Sequence, residues 1–420
     1  MGREDVRAHV LQGQRLWWRW PLVSLAVALV VVGCSVVRSV PPRRPIAPVA
    51  VQPRRREPKF PVTSPATDVT AFAMSSPTTG AEVAGSTLYQ TNDGGKAWRA
   101  VRTVSPSASI EALPSGTLIL FSVSAAGPGQ LALRLGSWSP HHAWTFQAAH
   151  VASFLAEGAG AAVAPDITCS FTSATSGWCL LDIGGGMQLN DAQVWETTTA
   201  GATWTPLTNA PTPAGTVQYG YKGGIAWVSR MAGWMTASTL TGGPTNNVSP
   251  VLYGTRDGGI HWMPVGIPYL REPGRPGTIA LGPPRRLPLS PAWAVLETAT
   301  NASATATVLR VLVLSSPSAQ AWLPAGAAIA VSGVPGDPEL LPASAMNWWL
   351  WTGRALYQTR DAGRTWNRVP LPPALRGGWP VAVSGAHEAW VWATSASGPS
   401  RLWHWSGARW APIFGPNTRS

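Results

Sequence analysis

The sequence predicts an all-β fold, a seven-bladed β-propeller of four-stranded antiparallel blades, preceded by an N-terminal signal or anchor segment and a Pro/Arg-rich tether. Three observations carry this. One short pattern recurs: "LYQTRDAGRTW" at 356–366 returns as "LYQTNDGGKAW" at 88–98 and "LYGTRDGGIHW" at 252–262. Tryptophans that close this pattern or weaker forms of it are spaced near-regularly along the chain. The composition suits many turns and short strands: 43 Gly and 40 Pro in 420 residues, with 24 Trp and only 12% charged side chains, about half the usual charged share.

Residues 1–37 come first. "PLVSLAVALVVVGCSVV" is a continuous apolar run behind the basic, aromatic "RLWWRW". Leu22 to Val37 is short for a bilayer span of about 20 residues and suits a signal-peptide apolar region. Its end, Val31, Val32, Gly33 and Cys34, resembles a bacterial lipobox, which implies lipidation of Cys34. An uncleaved signal anchor and simple secretion are the alternatives, and all three place the body outside the cytoplasm.

Residues 38–66 are rich in Pro and Arg and nearly free of aromatics. They cannot build a core, and read as an extended, semi-rigid tether. The stretch 35–60 holds seven basic side chains against Glu57 alone, half of the net charge of +12. The main body is close to neutral. A nucleic-acid groove would need that charge on the folded part. Beside an apolar segment it reads as a partner for anionic lipid headgroups.

The propeller is assigned to 67–420. Each recurring stretch is an apolar-aromatic strand followed by Thr-x-Asp-x-Gly-x-x-Trp. The three full copies place Thr91, Asp93, Gly95 and Trp98; Thr255, Asp257, Gly259 and Trp262; and Thr359, Asp361, Gly363 and Trp366. A weaker copy, "VWETTTAGATW", keeps Gly201 and Trp204 but has Thr199 where Asp is expected. Asp accepts bonds from backbone N–H groups just ahead of it, and Gly takes the left-handed conformation. Trp then covers the turn with a large ring. Degenerate copies end at Trp144, Trp322 and Trp410, making the intervals between successive tryptophans 46, 60, 58, 60, 44 and 44.

Upstream of most copies lies an apolar strand such as "SGWCLLDI", "AGWMTAST" or "NWWLWTG", and before that another run such as "GGIAWVSR". Each unit therefore reads as four strands, and repeats of this size form β-propellers of about 4–8 blades. Six or eight blades also fit three degenerate copies. A β-sandwich fits less well, because sandwich strands need not repeat. Within the third unit, Cys169 and Cys179 are equidistant from Ala174. In an antiparallel hairpin centred there they face each other, and an exported chain meets oxidising conditions, so a disulfide is expected, against the alternative of two small buried side chains.

The motif resembles the Asp-box, or BNR, repeat of sialidases, sortilin-type receptors and photosystem II assembly-factor propellers. The resemblance implies that the motif joins the third and fourth strands of a blade, on the rim away from the ligand face, with a structural role. The spacing is most similar to the photosystem II stability/assembly-factor-like family, which implies an exported seven-bladed propeller that holds membrane-protein partners without catalysis. Relatives with this signature occur in organisms without photosystems, so the photosystem itself is not carried over.

Catalytic chemistry is sparse. A glycoside hydrolase needs paired carboxylates, or Tyr with an acid partner, and sialidases add an arginine triad and an FRIP-like motif that is not visible here. His residues are scattered, no Cys-x-x-Cys or His-x-x-x-His pair occurs, and no phosphate-binding loop is found, so no metal or cofactor is expected. A protein partner at or near the membrane surface is expected instead, with a sialidase-like hydrolase or carbohydrate-binding propeller as the alternative. The long connections expected on the upper face are 182–191, 208–224, 238–250 and 265–277, with the others short. They carry Tyr219, Tyr221, Tyr269, Arg271 and Arg275, and Tyr and Arg are favoured interface anchors. Simple solvated loops are the plainer reading. Arg285 and Arg286, in "GPPRRLP", read as the first-to-second strand loop of the fifth unit, on the opposite face.

Overall fold

A computed structural model describes residues 69–413, except 128–129, 154–166, 185–190, 208–221, 242–246, 269–277, 302, 304, 316–320, 333–337, 376–380, 386 and 396–397. The chain divides into Met1–Pro58, which lies outside the described residues, and Lys59–Ser420, which holds every described strand. The lipobox-like Cys34 and the tether therefore also lie outside the described residues. Among the described residues no helix is long and apolar enough to cross a membrane.

Seven antiparallel sheets follow one another along the sequence. Blade 1 is Val69–Met74, Gly80–Ala84, Thr87–Thr91 and Arg99–Thr103, hydrogen-bonded in chain order from the innermost strand outward. Blades 3, 4, 6 and 7 repeat this four-stranded order. Blade 2 has its outer strand in two pieces, His142–Phe146 and His150–Ser153, both paired with Gln130–Ser139. In blade 5 the inner strand is also in two pieces, Thr278–Leu281 and Arg285–Arg286, both paired with Trp293–Thr300. The break is Gly282-Pro283-Pro284, where two residues lack the N–H that a ladder needs. Arg285 and Arg286 are thus strand residues, not the loop the sequence suggests. The correction follows from the prolines, which interrupt the strand without ending it.

Seven apolar clusters lie between the seven sheets, one at each junction. A strand inside a blade faces a neighbour on both sides, so both of its faces are buried. Trp348–Trp351, the second strand of blade 6, shows this: all four residues are buried. Trp348 and Leu350 face blade 5, while Trp349 and Trp351 face blade 7. Strict apolar–polar alternation fails there for the same reason it fails in any sheet covered on both sides. The tryptophan content has its use in these junctions. Trp178 of blade 3 stacks on Trp227 of blade 4 at 4.5 Å, and Trp234 of blade 4 meets Trp293 of blade 5 at 4.9 Å.

Among the described residues, blade 7 and blade 1 share no strand. Each builds its four strands from its own stretch of chain. Their seam is side-chain packing: Phe72, Met74 and Trp98 against Ala382, Trp390, Trp392 and Leu402. Glu82, between Phe72 and Tyr89 in the register of blade 1, is completely buried there.

In blade 3 the hairpin Ile167–Phe171 and Gly177–Gly184 pairs Cys169 with Cys179, and a disulfide joins them with a Cα–Cα distance of 4.1 Å.

Candidate functional site

The recurring motif is a turn between the third and outer strands of blades 1, 3, 4 and 6. Its bonding is the same in the three full copies. In blade 1, the Thr91 hydroxyl donates to Asp93 Oδ1 at 2.8 Å and accepts from Gly95 N–H at 2.9 Å. Asp93 Oδ1 also accepts from Ala97 N–H at 2.9 Å. Blade 4 repeats this with Thr255, Asp257, Gly259 and His261, and blade 6 with Thr359, Asp361, Gly363 and Thr365. In blade 3, Thr199 takes the place of Asp: its hydroxyl accepts from Thr203 N–H at 2.9 Å, while Gly201 N–H reaches Thr197. A hydroxyl therefore performs the turn's main acceptor task without the charge.

The motif glycines meet two demands. Gly95 and Gly201 have φ of 91° and 84°, the left-handed region where a Cβ is penalised. An added Cβ would also lie 2.5 Å from Leu402 of blade 7 in the first case and 2.5 Å from Leu135 of blade 2 in the second. The turn thus presses its backbone against the preceding blade. Trp98, Trp204 and Trp262 are buried beside it, while Trp366 is only half-buried.

These turns also fix which face is which. Gly94 N–H donates to Thr78 O, Ala200 to Thr175 O, Gly258 to Met231 O and Ala362 to Met346 O. Every acceptor lies in the turn joining the first two strands of the same blade. First-to-second and third-to-outer turns therefore share one face, here the lower. The remaining connections leave from the upper face, as antiparallel order requires.

In blades 4 and 6 these bonds tune the motif carboxylate. Partial burial pushes the Asp257 carboxyl up, but the His261 backbone and ring and the Thr255 hydroxyl together bring it down to about 2. Hydrogen bonds from the Thr365 hydroxyl and N–H, then from Thr359, bring Asp361 to about 2 as well. This is turn chemistry on an exposed rim.

A second group of charges sits on the inner strands. Glu111, in Ser109–Ala112 of blade 2, is pushed up to about 7 by burial of its carboxyl; Arg285 of blade 5 and the Phe171 N–H of blade 3 oppose that. Its Oε2 has no hydrogen-bond partner. Arg285 pairs with Glu339 of blade 6 at 2.9 Å. One register position along, Ser170 of blade 3 accepts from Trp227 N–H of blade 4 at 3.1 Å. Glu111, Ser170 and Arg285 thus tie neighbouring inner strands together, a girdle around the axis. Sequence reading missed it, because the partners are far apart along the chain and only the blade register brings them level.

Tyr219, Tyr221, Tyr269, Arg271 and Arg275, expected on the upper face, lie outside the described residues. The strands that flank them end and begin on the upper face. The register shortens two of the expected long connections, because 238–241 pair with 247–250 and 182–184 with 191–192, and a further long connection leaves that face between Ser153 and Ile167. Among the described residues no cluster of His, Cys, Asp and Glu could hold a metal ion.

No family model matches this chain, and no curated protein does. Solved structures match at low similarity. The propeller domain of the Trilobed protease from Pyrococcus furiosus is 9% identical over 83% of this chain and 98% of that one, with a TM-score of 0.47. An alpha-L-arabinofuranosidase from Fusarium graminearum is 13% identical over 70% and 91%, at 0.41. A Trypanosoma rangeli sialidase is 10% identical over 60% of this chain, at 0.40; the match spans only 47% of the sialidase. The seven blades rest on the strand pairing described above.

Proposed function

We propose that this chain is a membrane-tethered, extracytoplasmic propeller that binds a protein partner and performs no catalysis on it. One observation carries the reading: seven of the nine carboxylates whose side chains are described hold a turn or an ion pair, and the other two are buried. Asp93, Asp257 and Asp361 hold turns. Glu196, Glu297, Glu339 and Glu388 pair with Arg230, Arg310, Arg285 and His404. Glu111 bridges two inner strands and Glu82 is sealed in the seam. The upper face, with long connections between blades 2 and 3, 3 and 4, and 4 and 5, is the binding face in this reading, and Tyr221 and Arg271 are its anchors.

The test is a crosslinking pull-down. Tyr221→Ala with Arg271→Ala should weaken capture of the native partner by more than about tenfold, since truncating a single hot-spot residue costs upward of about 2 kcal/mol. The melting temperature should hardly move. Lys96→Ala with Arg99→Ala, on the lower rim of blade 1, is the matched control; Arg285 is unsuitable because it holds Glu339. Capture lost only in the control pair would mean the faces are reversed. For the tether, Cys34→Ala should accumulate unprocessed precursor; residues 1–33 intact on the mature wild type would favour an anchor.

Glu111, Arg285 and Glu339 favour one second reading. Two carboxylates and a guanidinium from three blades line the inner strands, and a carboxyl near 7 can act as a general acid. Turnover of fluorogenic glycosides that disappears in Glu111→Gln would replace the scaffold by a hydrolase.

A further inference from the structure

Seven large apolar side chains stand exposed among the described residues, and six of them are on the lower face of three consecutive blades. Met231, Ile260 and Met263 belong to blade 4, Leu289 and Leu323 to blade 5, and Met346 to blade 6. The placement is positional. The carbonyl that receives the motif-turn N–H belongs to Thr78 in blade 1 and Thr175 in blade 3, but to Met231 in blade 4 and Met346 in blade 6. Where two blades present a threonine to solvent, two others present a methionine. In blade 5 the first-to-second turn presents Leu289, 95% exposed, with φ of 58°. A leucine in that conformation is held at a cost that Asn or Gly would avoid. Met263 and Leu323 likewise occupy one position, the first residue of the outer strand after the motif tryptophan, in neighbouring blades.

Basic side chains surround these tips. Arg230, Arg256, Arg286, Arg360 and Arg364 are exposed on the same blades and face. The carboxylates near them are already engaged: Glu196 by Arg230, Asp257 and Asp361 by their own turns. Apolar tips within an arginine rim match the boundary of an anionic bilayer, where apolar groups enter the headgroup layer and cations meet phosphate. An apolar patch on an otherwise ordinary surface marks a contact site, and the charge selects the lipid.

We propose that the lower face of blades 4 to 6 docks on an anionic lipid bilayer, with Met231, Leu289 and Met346 entering the headgroup layer. The inference rests on the tether reading only for proximity: a Pro-rich linker reaches about 3.1 Å per residue. It also gives the protein an orientation, with the upper face turned away from the membrane.

The experiment is hydrogen–deuterium exchange on the full chain with vesicles of phosphatidylcholine alone or mixed with phosphatidylglycerol. Amides at 230–232, 289–290 and 345–347 should slow on the anionic vesicles only, while 78–79 and 174–176 stay unchanged. Arg256→Gln with Arg364→Gln should lower partitioning to anionic vesicles by more than about tenfold, because each arginine near such a surface contributes roughly fivefold. Raising salt should do the same. Met231→Ser, Leu289→Ser and Met346→Ser together should abolish the slowing at an unchanged melting temperature. Equal exchange on both vesicles, or slowing that survives the triple substitution, overturns the proposal. Slowing that tracks protein density and not lipid charge overturns it in favour of a second copy of the chain. Flotation with neutral vesicles reads the tether separately: if the chain fails to float there, the tether reading falls, and the anionic arm still decides docking.

Discussion

A tryptophan wedged between two sheets and one on a rim do not cost the same to lose. Trp262 is buried against Trp227 at 5.9 Å, edge to face, so Trp262→Ala should cost about 3–5 kcal/mol in urea denaturation. Trp366, half-buried at the equivalent position, should cost clearly less. The same chemistry at two sites separates because burial, not residue type, sets the loss. Gly201→Ala is predicted to destabilise by more than about 1 kcal/mol, since it meets both a positive φ and Leu135 of the preceding blade. Ala200, one residue earlier at φ of 56°, is the opposite case, and Ala200→Gly should be neutral or slightly stabilising. Similar costs at the two positions would refute the close approach.

At the scale of the element, each motif turn is a small network whose parts can be exchanged. Thr199→Asp should strengthen the blade 3 turn by up to about 1 kcal/mol, by replacing a neutral acceptor with a charged one toward Thr203 N–H. A melting temperature that falls would mean the hydroxyl geometry is preferred there. The Cys169–Cys179 bridge closes a short loop, sequence separation 10, so replacing both by Ala should cost about 2–3 kcal/mol. Much of this scale was legible in the sequence. Hairpins are local, so their Thr, Asp and Gly spacing is visible in one window, and the symmetric cysteines reported the register of their hairpin. The broken inner strand of blade 5 was not legible, because two prolines look like a loop until a neighbouring strand is seen to pair on both sides of them. Tyr221 and its neighbours were singled out by chain position alone, and no described contact adds to that choice.

For the whole molecule, stability should depend on pH with two opposed slopes. Burial holds Glu82 well above its ordinary value, and the Trp392 indole offsets this only in part; neither carboxylate oxygen completes a hydrogen bond. Glu111 is held at about 7. Both bind a proton more tightly folded than unfolded, so stability falls as pH rises above the ordinary Glu value of 4.5. For Glu111 the fall ends near 7; for Glu82 it continues higher. Asp257 and Asp361, lowered to about 2, act in the other sense, and their contribution is lost as pH falls from the ordinary value toward 2. The maximum is expected between about pH 4 and 5. Glu82→Gln should raise the melting temperature at pH 8 and leave it nearly unchanged at pH 4.5. An equal gain at both would mean that packing, not charge, is what the seam resists. None of this was legible in the sequence, where Glu82 is one acid in "GAEVAGS" and its burial depends on a blade some 300 residues away.

The unshared seam sets the order of events during synthesis. Every described ladder lies within one blade's own stretch of chain, so each blade can complete its own hydrogen bonding as soon as its last strand leaves the ribosome. Six of the seven junctions then form between one finished blade and the next, a string of short-range steps of the kind that folds quickly. Only the junction of Trp98 with Leu402 must wait for the end of the chain. Until then, the apolar side chains Phe72, Met74 and Trp98 stay uncovered at the front of the growing protein, and that interval is when a chaperone would have something to hold.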